Sequence, residues 1–312
     1  MEHRSVLLEE SIRALEIRPD GIYVDATLGR GGHSSVILSR LTTGHLYCFD
    51  LDLEALEESR ERLKAISDQF TLIHANYAEM QQKLAEQGIE EVDGILMDLG
   101  VSSPQFDDPE RGFSYRYDTR LDMRMDRTQT LDAYHIVNEY EYSDLVRILS
   151  RYGEEPFARQ IARKIESRRA SKPIETTGEL VDIIKEALPA KALKAKGHPA
   201  KQTFQALRIE VNGELTSLQT ALDAGLKLLS PGGRMAVISF HSLEDEIVKH
   251  TFRKASTLEG ELRKLPLKEA EMPKAEYSMV TRKPITASQE ELTENRRAHS
   301  ARLRVIERRK QI

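Results

Sequence analysis

The sequence predicts an α/β fold with a mainly parallel sheet and an inserted all-helical domain, and three observations support it. A β-branched run, a glycine-rich loop and a helical pattern follow one another at 22–41. Strand and helix patterns alternate through the first hundred residues, which is typical of parallel sheets with right-handed crossovers. From about residue 130 to 195 the strand patterns stop and only helical patterns remain.

Acidic side chains end three of the predicted strands in the first hundred residues. They are Asp25 after strand 22–24, Asp50 after strand 45–49 and Asp98 after strand 89–97. The other elements predicted here are strand 70–73, which Tyr77 follows, and the helices 53–66 and 77–87. Because such sheets bind ligands at the carboxyl ends of their strands, three acids at one edge predict a site there.

The glycine loop after the first strand nearly fits two binding motifs. G-x-G-x-x-S at 29–34 resembles the dinucleotide fingerprint, whereas D-x-T-x-G-x-G at 25–31 resembles the S-adenosylmethionine loop with Thr27 in place of the first glycine. A tight turn that binds nothing is the third alternative. Asp50, about twenty residues after the loop, is placed to accept both hydroxyl groups of a ribose.

Residues 99–127 are predicted to form loops. The stretch 99–106 is rich in Gly, Ser and Pro, which disfavours a helix. The polar stretch 107–127 contains five arginines and is typical either of a substrate loop or of surface ion pairs. Helices are then predicted at 131–138, 143–152, 155–169 and 177–188, followed by a basic linker at 191–201 and a long helix at about 202–229.

The chain then returns to the sheet. A strand predicted at 234–240 ends at His241, which has either a substrate-side or a structural role, and Ser242 is predicted as the N-cap of the next helix. Two more strands are predicted at 277–281 and 302–307. Two strands after the last helix favour the sheet of a methyltransferase, which ends in an antiparallel hairpin.

Composition limits the class of protein. The chain has 312 residues, of which 39% are hydrophobic, enough for one large domain or two. No run approaches eighteen apolar residues, which predicts that nothing spans a membrane. The single cysteine, Cys48, lies in an apolar strand and is predicted to be a core residue of a cytoplasmic protein.

Charge is unevenly distributed along the chain. Residues 1–144 hold 14 Lys and Arg against 29 Asp and Glu (−15), residues 145–208 hold 14 against 7 (+7), and residues 209–312 hold 18 against 15 (+3). The basic segment fits a surface that faces a polyanion, although solvated side chains on helices give the same pattern. The side chains predicted on one exposed side are those of Arg159, Arg163, Lys164, Arg168 and Arg169.

Six blocks of sequence carry a resemblance to a known family. They are D-A-T-L-G-R-G-G-H-S (25–34), D-L-G-V-S-S-P-Q (98–105), R-G-F-S-Y (111–115), L-D-M-R-M-D (121–126), H-P-A-x-x-T-F-Q-A-L-R-I-x-V-N (198–212) and I-S-F-H-S-L-E-D (238–245). In this order they resemble the bacterial ribosomal RNA small-subunit methyltransferase H family, from the N-terminus to about residue 308. The departures are Thr119-Arg120 for Gly-Pro, Lys201-Gln202 for Thr-Arg and Tyr77 for phenylalanine.

The resemblance implies a Rossmann-like sheet of an S-adenosylmethionine-dependent methyltransferase with an inserted all-helical domain. The methyltransferase core is then expected at 1–112 and 199–312, and the substrate-recognition insert with its preceding loop at 113–198. The implied activity is methylation of the exocyclic N4 of a cytosine in small-subunit (16S) rRNA, near the decoding or P-site region. The implied partner is that rRNA within the assembled small ribosomal subunit; no membrane partner is predicted, and a homodimer stays open.

The cofactor residues follow from the resemblance position by position. The cofactor S-adenosylmethionine is expected at Gly31, Gly32, His33, Asp50, Tyr77, Asp98 and Gln105, and no metal is implied. The group that accepts a hydrogen of the target amine stays open between Asp98 and Ser103, the latter within S-P-Q-F at 103–106. The residues assigned to the substrate side are Phe106, Arg163, Lys164, His198, His241, Arg296 and Arg297.

Two functions from other classes remain as alternatives at this point. A dinucleotide-binding oxidoreductase is favoured only by the near match at 29–34. A non-catalytic RNA-binding assembly factor that keeps an S-adenosylmethionine fold would share every motif of the enzyme. Cofactor binding separates the first alternative from a methyltransferase, and methyl transfer to small subunits separates the second.

Overall fold

The structure, a computed structural model, describes residues 5–258 and 274–310. The chain forms two compact units, one made of Met1–Gly100 with Leu215–Ile312 and the other of Val101–Glu214. None of the helices within the described ranges is both long enough and apolar enough to cross a membrane.

In the part of the chain that the structure describes, the first unit contains a seven-stranded sheet. Its strands are β1 Ile22–Asp25, β2 His45–Asp50, β3 Phe70–His74, β4 Val92–Asp98, β5 Leu229–Ser239, β6 Tyr277–Met279 and β7 Arg302–Arg308, in the order β3-β2-β1-β4-β5-β7-β6. Strands β1 to β5 pair in parallel, and β7 pairs antiparallel with β5 and β6. The predicted α/β class, with a parallel sheet and an antiparallel end, is confirmed.

Helices pack on both faces of this sheet. Along the chain the helices are α1 Leu8–Leu15, α2 Gly32–Ser39, α3 Leu53–Lys64, α4 Met80–Ala85, α5 Ser103–Asp107, α6 Ala133–Glu139, α7 Tyr142–Arg151, α8 Ala158–Arg169, α9 Thr177–Ala187, α10 Ala190–Leu193, α11 Lys201–Asn212, α12 Glu214–Leu228, α13 Ser242–Ala255 and α14 Gln289–Glu294. Side chains of β2 alternate between two cores, because successive residues of a strand point to opposite faces. Tyr47 and Phe49 lie in one core, and Leu46 and Cys48 in the other. Cys48 is therefore the buried core residue that was predicted.

The second unit is helical and has a core of its own. Its buried side chains come from the stretch before α6 and from α6, α7, α8, α9 and α11. Phe204 and Leu207 of α11 belong to this core. The compact unit therefore extends beyond the predicted bounds, 113–198, at both ends.

Two helix predictions were wrong, each because of one residue. Pro104 was counted against a helix in 99–106, but proline is tolerated in the first turn, and Ser102 caps α5 in a box with Gln105. The single helix predicted at 202–229 is divided into α11 and α12, because Gly213 adopts a left-handed conformation (φ 57°).

One helix cap was not predicted and another differs from prediction. Thr176 caps α9, at the predicted start of that helix, and forms a capping box with Glu179. His241 caps α13 and forms a box with Glu244, so the predicted N-cap, Ser242, is the first residue of that helix instead. Helix α1 had not been predicted, since its apolar pattern is only eight residues long.

Arginines in the loop 107–127 hold that loop together. Arg111 is buried and donates hydrogen bonds to the carbonyl oxygens of Arg124 and Met125, both at 3.1 Å. Arg124 donates to both carboxylate oxygens of Asp122 at 2.8 Å, and Arg120 pairs with Asp132 at 2.8 Å. For Arg120 and Arg124 these contacts favour the ion-pair interpretation over a role in substrate binding, and Arg111 likewise has a structural role.

Candidate active site

The acidic strand ends meet at one edge of the sheet, as predicted. Strand β1 lies between β2 and β4, and the ladder pairs Asp25 with Cys48 on one side and with Leu96 on the other. Asp50 and Asp98 are each the last residue of a strand that neighbours β1. The carboxyl ends of three adjacent strands therefore carry Asp25, Asp50 and Asp98 side by side.

Asp25 has a structural role in this site. It is only 1% exposed, and its two oxygens accept hydrogen bonds from the backbone N–H of Thr27 (3.1 Å) and the hydroxyl of Ser34 (2.6 Å). Thr27 in turn accepts the backbone N–H of Asp98 at 2.6 Å. The threonine that departs from the glycine motif thus connects the loop to β4, a role that the motif alone could not reveal.

The glycine loop is held in a conformation that leaves its backbone accessible. Gly29 and Gly31 have positive φ angles of 51° and 69°, which favour glycine. A Cβ on Gly29 would have only the Thr27 carbonyl oxygen nearby, at 4.0 Å, so the space above it is open. A Cβ on Gly32 would lie 2.0 Å from the hydroxyl of Ser5, because the N-terminal segment packs against the start of α2.

Asp50 stabilises the same loop through hydrogen bonds. Its carboxylate accepts hydrogen bonds from the backbone N–H groups of Gly29 (2.8 Å) and Asp52 (2.9 Å). Burial raises the pKa of Asp50 to about 6, although these two hydrogen bonds oppose the shift. A carboxylate oxygen has two lone pairs, so each oxygen can still accept one more hydrogen bond. Asp50 is therefore able to fix the loop and to bind two hydroxyl groups at once.

His33 is buried beside Asp98 in its neutral form. Burial lowers the pKa of His33 to about 4. Its Nε2 lies 3.2 Å from the carbonyl oxygen of Val6, which can only accept a hydrogen bond, so Nε2 carries the proton. The unprotonated Nδ1 therefore faces Oδ2 of Asp98 at 3.7 Å. No ion pair forms between the two side chains near neutral pH.

Asp98 has an unusual electrostatic environment. Burial, together with the carboxylates of Asp25 and Glu244, raises the pKa of Asp98 well above its usual value. About a quarter of its side chain is exposed (24%), yet its Oδ1 is buried and has no hydrogen-bond partner among the residues that the structure describes. Buried acceptors are nearly always satisfied, and an exception at a strand end is typical of a functional group.

The other residues predicted to bind the cofactor lie in different units. Tyr77, in the first unit, begins a 3₁₀ turn that Asn76 caps, and its ring packs partly buried against the core. Gln105 and Phe106 belong to α5 in the second unit, where the side-chain oxygen of Gln105 accepts the backbone N–H of Ser102 at 3.1 Å. Ser103 begins that helix, but its side chain lies outside the described part of the structure.

The two histidines predicted on the substrate side are both held by local contacts. His241 accepts the backbone N–H of Glu244 as an N-cap (3.4 Å), which supports the structural alternative for this residue. His198 stacks on Tyr115, with ring centroids 4.2 Å apart and planes inclined by 5°. Arg297 lies partly buried in a 3₁₀ turn, and the side chain of Arg296 lies outside the described residues.

The basic residues of α8 do not form one uniform surface. Lys164 and Arg168 both pair with Glu186, at 3.0 Å. Arg169 donates to the carbonyl oxygens of Val137 (2.8 Å) and Tyr140 (2.6 Å), so its charge stabilises the helical unit. Arg159 and Arg163 are exposed and, within the described ranges, have no carboxylate partner.

Arg169→Ala is expected to lower the free energy of unfolding by about 1–3 kcal/mol, because two backbone acceptors lose a charged donor. Arg163→Ala is the matched control, since it removes the same charge from an exposed position of the same helix. Thermal melting of the full chain measures the difference. Equal melting temperatures for the two variants would contradict the structural role of Arg169.

Comparisons with known proteins agree over nearly the whole length of the chain. Residues 1–309 match the model of the MraW methylase family. A curated relative from Exiguobacterium sibiricum, named ribosomal RNA small subunit methyltransferase H, is 55% identical over 310 residues, which cover 99% of both chains. The solved structure of an rRNA methylase from Streptococcus thermophilus is 12% identical, with a TM-score of 0.43 over 99% of each chain.

Proposed function

Since the chain belongs to the MraW methylase family, we propose that it transfers a methyl group from S-adenosylmethionine to the exocyclic N4 of a cytosine in small-subunit rRNA. The full-length similarity to the Exiguobacterium sibiricum methyltransferase carries this proposal, because it includes the segments that hold the glycine loop, Asp50 and Asp98. The oxidoreductase alternative depended on the glycine loop alone, and no other feature favours it.

Residues at the carboxyl ends of the strands fit S-adenosylmethionine, which supplies a methyl group activated by a positively charged sulfur. The open space above Gly29 and the positive φ angles of the loop allow a ligand to approach the loop backbone closely. Asp50 has lone pairs left for both ribose hydroxyls. Tyr77 follows β3, the strand beside β2, and its aromatic ring can pack on the adenine.

Asp98 is proposed to bind the target amine. The N4 amine of cytosine is a weak nucleophile because its lone pair is delocalised into the ring. A carboxyl group keeps an acceptor oxygen whether or not it is protonated, and Oδ1 of Asp98 lacks a partner in the described chain. This oxygen can accept an amine hydrogen, orient the nitrogen towards the methyl group and stabilise the positive charge that develops. Ser103 remains the second candidate.

The finer assignments belong to the same proposal. They include a target near the decoding or P-site region, the assembled small subunit as substrate, a cytoplasmic location, Gly31, Gly32, His33 and Gln105 on the cofactor side, and Phe106, Arg163, Lys164, His198, Arg296 and Arg297 on the substrate side. A homodimer stays open, and the cap made by His241 favours its structural role. The predicted role of the helical unit as the substrate-recognition domain is supported by its basic segment, 145–208.

Cofactor binding is expected to release protons near pH 6. Ribose hydroxyls donate to the ionised form of Asp50, so binding lowers the pKa of this carboxyl group from about 6, and affinity rises between pH 5 and 7. Without cofactor the folded chain retains a proton that the unfolded chain loses, so stability falls as the pH rises from about 4 to 6. Calorimetry in buffers of different ionisation enthalpy measures the release, and Asp50→Asn is the control. Equal proton release by the wild type and by Asp50→Asn would exclude Asp50 as the group that loses the proton.

Methyl transfer distinguishes the enzyme from a non-catalytic binding factor. The purified protein is incubated with labelled S-adenosylmethionine and small ribosomal subunits from a strain that lacks the gene. We expect label in the RNA of these subunits and none in subunits that the wild-type strain has already methylated. Binding of both ligands without transfer would favour the assembly factor.

A further inference from the structure

The helical unit has a shallow groove that the methyl-transfer site does not use. Its volume is about 620 Å³, and it is lined by the start of α7, one side of α8 and the end of α9. The side chains that matter here are Tyr142 from α7 and Arg159, Arg163, Lys164 and Ser167 from α8. Arg159, Arg163 and Ser167 are spaced by four residues, so they lie in one row along the helix.

Positive charge in this groove is only partly neutralised. Arg159 and Arg163 are exposed and, as far as the structure describes the chain, lack a carboxylate within 4.0 Å. Lys164 has one partner, Glu186 at 3.0 Å, and 41% of its side chain remains exposed. In the next turn, Arg168 pairs with Glu186, and Arg169 donates hydrogen bonds to two carbonyl oxygens. Among the arginines of α8, those without a carboxylate or carbonyl partner in the described chain are therefore the two that line the groove.

An aromatic ring lies beside these charges. The guanidinium carbon of Arg163 is 6.0 Å from the ring centroid of Tyr142, within the range of a cation–π contact. Tyr142 is partly exposed at the first position of α7. Aromatic rings and guanidinium planes are the surfaces on which proteins stack unpaired RNA bases, and guanidinium groups bind phosphates. The groove therefore combines a stacking surface with phosphate-binding groups in one concavity, a combination that a helix face exposed only to solvent does not require.

We propose that this groove binds one unstacked nucleotide of a single-stranded segment of the RNA substrate. Arg159 and Arg163 contact its phosphates, and its base stacks against the Tyr142–Arg163 pair. The identity of the polymer rests on the proposed function, whereas the groove is lined by residues of the helical unit alone. Anchoring one nucleotide of the strand offsets part of the cost of unstacking the target base, a step that otherwise opposes binding.

Single-charge variants test the groove against a matched control. Arg159→Ala and Arg163→Ala each remove one lining charge, and Arg151→Ala removes one from the exposed end of α7. Arg151 follows Tyr142 by nine residues, so it lies about 14 Å further along the helix and half a turn around it. Melting temperature and S-adenosylmethionine affinity are measured for all three variants to show that they fold alike.

Each groove variant is expected to raise the KM for small subunits about three- to tenfold, with a much smaller change in kcat. The slope of log affinity against log salt should fall by about 0.7 for each lost phosphate contact with a single strand, and Arg151→Ala should leave it unchanged. Tyr142→Phe keeps the stacking ring and should bind RNA like the wild type. Tyr142→Leu removes the ring, and its RNA affinity should be about five- to 100-fold lower.

Two outcomes would exclude RNA binding in the groove, and a third would exclude the proposed methyl transfer. If Arg159→Ala and Arg163→Ala have the same salt slope as Arg151→Ala while the wild type methylates subunits, the groove is not an RNA site. A photo-crosslinking residue in place of Ser167 that attaches to a ribosomal protein rather than to rRNA would lead to the same conclusion. If the wild type transfers no methyl group to any subunit, the proposed function fails instead.

Discussion

Asp98→Asn is expected to lower the turnover number by about 10²- to 10³-fold, the effect of losing one preorganised electrostatic contact. The amide keeps the size of the side chain and one acceptor oxygen. It cannot carry the negative charge that a bound sulfonium would favour on Asp98 against the raised pKa of this group. If the charge matters mainly while positive charge develops on the amine, cofactor affinity changes much less than turnover. Single-turnover kinetics and calorimetry with S-adenosylmethionine separate the two quantities.

Asp93→Asn is a suitable control for that variant. Asp93 lies near the start of β4, at the other end of the strand, where it accepts hydrogen bonds from the backbone N–H of Ile22 (2.9 Å) and the hydroxyl of Ser230 (2.9 Å). It should affect stability and leave turnover unchanged. If Asp98→Asn instead lowers affinity and kcat/KM together while kcat survives, Asp98 is only a cofactor ligand. Ser103, or a backbone carbonyl beside Pro104, then becomes the better candidate for the amine.

Asp50→Ala is expected to weaken S-adenosylmethionine binding by at least tenfold, or about 1.4 kcal/mol. The change removes the acceptor for the ribose hydroxyls and also the acceptor that holds the Gly29 N–H. Calorimetric titration of the variant with S-adenosylmethionine measures the loss. An unchanged dissociation constant would exclude Asp50 from the cofactor site.

Ser59→Ala separates these two contributions of Asp50. The hydroxyl of Ser59 donates to the carbonyl oxygen of Gly29 at 2.9 Å, so its removal loosens the same loop without removing the ribose acceptor. A much smaller loss of affinity than in Asp50→Ala supports direct binding. An equal loss would mean that Asp50 acts through the loop.

Local patterns made the strand ends and the glycine loop predictable. Apolar runs that stop at an acid mark where a buried strand reaches the ligand edge, and topology rules then bring Asp25, Asp50 and Asp98 together. The contacts that tune these groups were not predictable, because they join distant segments. Val6 fixes the tautomer of His33, which is 27 residues away, and Thr27 accepts the N–H of Asp98, which is 71 residues away.

In the helical unit, the counts of charged residues predicted less of the structure than the strand patterns did for the sheet. The sequence indicated a basic surface that included Arg163 and Arg169, but it could not show which charges have partners. Arg169 serves two carbonyl oxygens, whereas Arg163 lies beside Tyr142 and has no acidic partner in the described part of the chain. Both lie on the same helix, and they are distinguished by the packing of α8 against the end of α6, which binds Arg169, and the start of α7, which contacts Arg163.

Mass-spectrometric mapping of the transferred methyl group in small-subunit rRNA tests the proposed reaction most directly. Subunits from a strain lacking the gene are incubated with the protein and isotopically labelled S-adenosylmethionine, and the rRNA is then digested and sequenced. We expect one labelled cytosine with the methyl group on N4, and the same position labelled more slowly by Asp98→Asn. A methyl group on a ring carbon, on a ribose oxygen or on another base would contradict the proposed function.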